Sequence, residues 1–261
     1  MATKYPIVLA HGVVLKDVGR FKAFGKIEDV LKKQGYAVFN ADHDGLGSIE
    51  NNAAQLKRFI EKILSQTGAE RVNVIAHSKG GLDTLYMIDR LGMADQIASL
   101  TFISTPHRGS PVASLLYGLP KLLRTPIAFG FNLLYHILGD EKPQALTVCR
   151  QLCAAEEDAV ILENAADCAH IYMQSFSSTL KRSRDDLVMG IPLMISKRKG
   201  HFSGDGMVSV ASCNYRNYRG DCTGFSVSHS EIVDFMVRGE KRRAVHGFYL
   251  SVARELEELG L

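Results

Sequence analysis

The chain has 261 residues, 46% of them hydrophobic, enough to bury the core of one large α/β domain. A formal net charge of +3 is too mild to point to nucleic acid, and the short basic clusters Lys181, Arg182, Arg184 and Lys197, Arg198, Lys199 read as solvated loops. The 5 cysteines have no zinc-type spacing; Cys213 and Cys222 are the one pair placed to meet across a hairpin, and free thiols are the expectation.

Taken in chain order, Ile7 to Ala10 reads as a strand, Phe21 to Gln34 as a helix ending at Gly35, and Tyr36 to Asn40 as the next strand. Ile49 to Gln66 carries a helical pattern stopped by Gly68. Arg71 to Ala76 is an apolar β-branched run, Gly81 to Leu91 a helix, and Ile97 to Ser104 a strand closed by Thr105-Pro106. This alternation implies βαβ units and a mostly parallel sheet flanked by helices, with functional loops at the carboxyl ends of the strands.

From about residue 108 to 186 the alternation breaks. Pro120, Pro126 and Pro143 punctuate a largely helical stretch with no evident strand, read as an insertion within a single domain spanning 1–261. Its segment Ile127 to Leu138 is strongly apolar but too short to cross a membrane. It reads either as a core helix or as a lid whose Phe129, Phe131 and Leu134 line an acyl pocket. Strands are expected again at Ile191 to Ile195 and at Gly224 to Val227, then a closing amphipathic helix from His246 to Leu259. Neither a leader pattern nor a membrane-length apolar run is evident, so the expectation is a soluble, cytoplasmic chain.

The chemistry gathers around Ala76-His77-Ser78-Lys79-Gly80, where an apolar strand drives into a serine and a helix follows at once. This is the pattern of a nucleophile elbow, written A-x-S-x-G in place of the commoner G-x-S-x-G. A serine on so sharp a turn needs neighbours with almost no side chain, and the helix start behind it offers free N–H groups to developing negative charge. A serine nucleophile also needs a base and a carboxylate to orient it, and on this kind of elbow both follow the serine in the chain. Asp205, between Gly204 and Gly206 and expected just past the strand at 191–195, fits the acid. His229, after the expected strand at 224–227, fits the base, with His246 as the fallback and His201 read as a surface residue. The oxyanion hole would take one backbone N–H from Lys79 and one from Val13, in the His11-Gly12-Val13 turn; each such donor is typically worth about 2.7–4 kcal/mol in the transition state.

With those residues in place, the chain resembles the bacterial true lipases, the triacylglycerol lipase-like family of the α/β-hydrolase superfamily. The resemblance rests on Tyr5-Pro6-Ile7-Val8-Leu9-Ala10-His11-Gly12, Val72 to Gly81, Ser104-Thr105-Pro106-His107-Arg108-Gly109-Ser110, Asp205-Gly206-Met207-Val208-Ser209 and Ser228-His229-Ser230-Glu231, all in family order. It implies an α/β-hydrolase fold with a helical lid and a carboxylic ester hydrolase using Ser78, Asp205 and His229. It implies no required cofactor, although family members often hold a structural calcium; Asp185 or Asp186 and Glu231 stand in comparable places. There Glu231 replaces the expected aspartate and Phe235 a further side-chain ligand. The partners implied are a small-molecule or lipid ester and at most a peripheral lipid interface, with medium or long acyl chains favoured by the apolar insertion. A short-chain esterase, a thioesterase or an acyltransferase would use the same triad, and a catalytically silent lipid-binding protein would keep the fold without the reaction.

Overall fold

In the computed structural model, residues 2–13, 22–154, 168–198, 200 and 203–261 are described. Their centre is a six-stranded sheet of order β2-β1-β3-β4-β5-β6, parallel throughout: β1 Ile7–Ala10, β2 Val38–Asn40, β3 Val72–His77, β4 Ile97–Ile103, β5 Tyr172–Ser177 and β6 Tyr218–Asp221. The central strands β1, β3 and β4 are buried along their whole length because both faces are covered.

Alternation along each strand feeds two cores. Val8 and Ala10 of β1, Val74 and Ala76 of β3, and Leu100 and Phe102 of β4 pack under α2 (Ile49–Thr67) and α3 (Lys79–Arg90). Ile7, Leu9, Ile75 and Ile103 point the other way, toward α1 (Ile27–Lys33) and the closing helix α9 (Gly239–Glu258), where Phe24, Leu31, Phe248 and Tyr249 complete the layer. Local chemistry sets the helix ends. Ser48 caps α2 by accepting the Asn51 N–H, and Gly68, at φ 70°, closes it with an N–H to the Leu64 carbonyl. The expected helix start at Phe21 lies outside the described residues, as do His201 and Lys199.

Between β4 and β5 run α4 (Pro111–Tyr117), α5 (Lys121–Ile137) and α6 (Ala145–Ala154). Helix α5 is no core helix: Ala128 is its one buried residue, while Leu122, Phe129, Phe131, Leu134 and Ile137 are exposed. It packs through Ala128 and Tyr135 onto Ala145 and Val148 of α6 and onto Leu46.

Four elements differ from the sequence expectation. Strand β5 lies inside the stretch read as strandless. Its Tyr-Met-Gln-Ser-Phe-Ser is too polar to signal a core strand, yet Gln174 donates to Thr101 Oγ1 at 3.2 Å, the Ser177 and Tyr218 hydroxyls pair at 2.7 Å, and Ser175 bonds the Tyr215 carbonyl. Ile191 to Ile195 is not a strand but the body of α7 (Gly190–Arg198), which precedes the short α8 (Val210–Cys213). Pro192 sits in its first turn, where no N–H is required, and only Leu193 of the apolar run is fully buried. Gly224 to Val227 is loop, and the last strand is β6, a few residues earlier. Helix α9 begins at Gly239 rather than near His246, its added residues being largely charged, with Val245 the buried one. All 5 cysteines are free thiols, so Cys213 and Cys222 are unbridged.

Candidate active site

Strand β3 delivers Ser78 to the N-terminus of α3 at φ 55° and ψ −132°, a strained conformation that L-residues rarely adopt. The turn closes because its neighbours are nearly side-chain-free. A Cβ at Gly12 would lie 2.5 Å from Ser78 Cβ and 3.0 Å from its Oγ. A Cβ on Gly80 would strike the Ala10 and His11 carbonyls, and one on Gly81 the Thr105 side chain. Ala76 is fully buried in β3, its methyl accommodated within the apolar core rather than against the serine.

Asp205 and His229 come from distant loops to the same point. Asp205 follows α7 in a tight loop closed by the Gly204–Ser209 bridge. Its carboxylate is fully buried and accepts the N–H groups of Met207 and Val208 at 3.0 and 2.9 Å on Oδ1, with Ser178 Oγ donating to Oδ2 at 3.1 Å. His229 lies past β6, and its own N–H donates to the Asp205 carbonyl at 3.1 Å. The ring places Nδ1 2.8 Å from Asp205 Oδ2 and Nε2 2.9 Å from Ser78 Oγ. With the carboxylate accepting at Nδ1, the proton belongs there, and Nε2 is free to accept from the Ser78 hydroxyl. Burial alone would raise the Asp205 pKa, but the charge and hydrogen bond of His229 and the Val208 N–H outweigh it and hold the carboxyl below its ordinary range. Asp205 is therefore a carboxylate when His229 needs an anion beside it.

His77 lies against the His229 ring, tilted by 45° with 4.5 Å between centroids. Complete burial, and then the neighbouring His229, push its pKa well below the usual histidine value, so it is a neutral wall. His246, the fallback base, points elsewhere: its Nε2 lies 3.2 Å from Asp234.

The two oxyanion candidates flank Ser78. Lys79 is the first residue of α3, so its N–H has no acceptor within the helix, and the turn carrying Val13 lies directly against the nucleophile through Gly12. The His11 ring braces that turn by donating Nδ1–H to the Gly12 carbonyl at 2.9 Å. The sequence reading missed what the Lys79 side chain does. Its ammonium is fully buried and sits 2.6 Å from Asp83 Oδ1. Asp83 in turn accepts from Asn52 Nδ2 at 3.1 Å and lies 4.0 Å from His43 Nε2, which donates to the His11 carbonyl at 2.9 Å. The signal was available in the i, i+4 spacing of Lys79 and Asp83 on one helix.

The acidic residues considered for calcium are spent on the protein itself. Asp185 Oδ2 accepts Ser226 Oγ at 2.7 Å. Asp186 accepts the N–H groups of Val188 and Met189 on Oδ1 and Ser228 Oγ on Oδ2. Both Glu231 oxygens face the Lys241 ammonium at 3.2 Å, and the Phe235 side chain offers no oxygen ligand. Among the described residues no group of three or more His, Cys, Asp or Glu side chains is arranged to hold a metal ion. Phe129, Phe131 and Leu134 form part of the exposed apolar surface of α5 rather than an enclosed pocket wall.

A family model described as the alpha/beta hydrolase fold matches residues 5–198. The chain is 35% identical over 126 residues to a triacylglycerol lipase of Pseudarthrobacter phenanthrenivorans, covering 46% of this chain and 39% of that protein. It is 37% identical over 118 residues to a triacylglycerol lipase of Vibrio cholerae, covering 45% of this chain and 37% of the relative. In both, the matched region is well under two thirds of the relative's own length. A triacylglycerol lipase of Pseudomonas fragi aligns over 99% of this chain and 98% of its own length at 27% identity. Among solved structures, a Staphylococcus hyicus lipase matches with a TM-score of 0.70 over 98% of this chain and 97% of its own at 14% identity. The mature Bacillus licheniformis lipase BlEst2 gives 0.65 over 88% and 87% at 18% identity. At such identities these two structures speak for the fold alone.

Proposed function

The chain belongs to the family with the alpha/beta hydrolase fold, and from that premise we propose that it is a serine carboxylic ester hydrolase working through an acyl-enzyme on Ser78. The observation that carries the reading is the continuous relay Ser78 Oγ, His229 Nε2, His229 Nδ1 and Asp205 Oδ2, with links of 2.9 and 2.8 Å. His229 takes the Ser78 proton as Oγ attacks the ester carbonyl, and the N–H groups of Lys79 and Val13 receive the charge that develops on the carbonyl oxygen. The imidazolium, paired with the buried Asp205 carboxylate, returns that proton to the leaving alcohol. His229 then deprotonates a water that attacks the acyl-enzyme, and the acid product leaves with Ser78 restored.

The exposed apolar face of α5, with Phe129, Phe131 and Leu134, supports a lipid ester with a medium or long acyl chain, met at a lipid surface. The triacylglycerol lipases to which the chain is similar support the same class. Ser78→Ala is expected to lower kcat by roughly 10⁴-fold or more and to abolish labelling by a fluorophosphonate probe. Full esterase activity in that variant would refute the assignment. A series of p-nitrophenyl esters of rising chain length tests the substrate class: a maximum at two or four carbons would make the protein a short-chain esterase instead.

A further inference from the structure

We infer that the Lys241 ammonium, rather than a divalent metal, is the cation that ties the His229 loop to the acidic residues around it, which makes Lys241 a positioning residue for the proposed base. The inference rests on His229 acting on Ser78. His229 is held by its ring and its N–H to Asp205, and the loop that carries it is fixed further by its neighbours. Ser226 Oγ donates to Asp185 and Ser228 Oγ donates to Asp186, at 2.7 and 2.6 Å. Ser228 N–H donates to Glu231 Oε2 at 3.0 Å. Three carboxylates thus converge on one six-residue segment, and their mutual repulsion would push that segment outward.

Lys241, in the first turn of α9, supplies the opposing charge. It contacts both oxygens of Glu231 at 3.2 Å, and the Glu231 side chain is only 12% exposed. Its charge also reaches the other two carboxylates. Asp185 is held below its ordinary pKa by the Ser226 hydrogen bond, with Lys241 and Arg182 adding to it. Burial would raise Asp186, but Ser228, the Met189 and Val188 N–H groups and Lys241 outweigh it. A calcium ion needs about 6–8 oxygen ligands at 2.3–2.6 Å. Here both oxygens of Asp186 and of Glu231 and Oδ2 of Asp185 already accept N–H, O–H or ammonium donors of the chain, and the cationic position is filled from within the chain. The two devices differ in consequence: an ammonium on a helix cannot be chelated away.

The test uses the full chain, with fluorophosphonate labelling of the wild type and not of Ser78→Ala establishing the serine reading separately. Lys241→Met should lower kcat on p-nitrophenyl butyrate by about 10- to 100-fold with KM within twofold, the signature of a displaced catalytic group. Lys241→Arg, whose guanidinium can span both Glu231 oxygens, should recover most of that kcat. Wild-type activity and thermal midpoint should be unmoved by EDTA or by millimolar calcium chloride, and calorimetry with calcium chloride should give no binding heat. Wild-type kcat in Lys241→Met overturns the inference. So does EDTA-sensitive activity, or a calorimetric calcium site in the wild-type protein, and these last two hold whether or not Lys241→Met folds.

Discussion

Gly12 shows how much of the site is decided by a single absent methyl. Its backbone lies so close to Ser78 that a Cβ would sit 2.5 Å from the serine Cβ, inside any allowed contact, and the opposing atoms are backbone-like rather than a yielding side-chain tip. Gly12→Ala must therefore move either the nucleophile or the Val13 N–H. A displacement of about 1 Å costs roughly 100-fold in rate, so kcat should fall by that order while the thermal midpoint changes little. Wild-type kcat in this variant would mean that the turn does not shape the oxyanion site. Ser78, Asp205 and His229 were legible in the sequence as candidates, because backbone geometry or proton chemistry restricts each position to very few residue types; the close approach of Gly12 to the serine was not. The roles of the Lys79 and Lys241 side chains were not. A lysine in a sequence declares a charge, and only the fold reveals that one is fully buried against Asp83 and the other closes an acidic loop.

At the scale of elements, legibility followed burial. Strands β1, β3 and β4 are covered on both faces, so their apolar runs announce them. Strand β5 is stabilised partly by side-chain hydrogen bonds that no hydrophobic pattern encodes, and the apolar run of α7 imitates a strand although Ile191 and Met194 are exposed. Asp205 and His229 reach Ser78 in spite of the misread elements before them, since chain order survives a wrong element type. The α3 helix carries the sharpest energetic test. Lys79 and Asp83 are both fully buried, 2.6 Å apart, one turn behind the nucleophile. Removing one partner leaves an uncompensated charge, whereas replacing both with apolar residues can be neutral or stabilising. Asp83→Asn should cost about 3–5 kcal/mol in urea unfolding, while the double variant Lys79→Met with Asp83→Leu should recover most of that stability. If the double variant is as unstable as the single, the pair does more than neutralise itself, and its link through His43 to the His11 carbonyl becomes the place to look.

For the whole molecule, buried titratable groups make stability fall in mild acid, before the carboxylates with lowered pKa values are reached. His107 is enclosed by Tyr215 and Phe102, and burial, with a contribution from Arg108, pushes its pKa down to about 3. His77 is shifted well down in the same way. Between pH 6 and 5 the unfolded chain gains a proton at each histidine that the folded chain refuses, so each makes stability fall as pH falls. Asp83 acts in the opposite sense: burial raises its pKa to about 6 against the pull of Lys79, so the folded chain gains a proton there that the unfolded chain lacks. Two histidines against one aspartate leave a net excess of about one proton in the unfolded state. That corresponds to a slope of about 1.4 kcal/mol per pH unit, stability rising with pH. Glu28 and Glu50, then Asp205, Asp186 and Asp234, all with lowered pKa values, add their losses as the pH falls below 5 into the carboxylate range. Urea unfolding of the wild type from pH 6 to 5 should show this slope, and His107→Phe, which keeps an aromatic ring between Tyr215 and Phe102, should bring it close to zero. An unchanged slope in that variant would show that His107 accepts its proton in the folded state, and that the ring stack opens in mild acid.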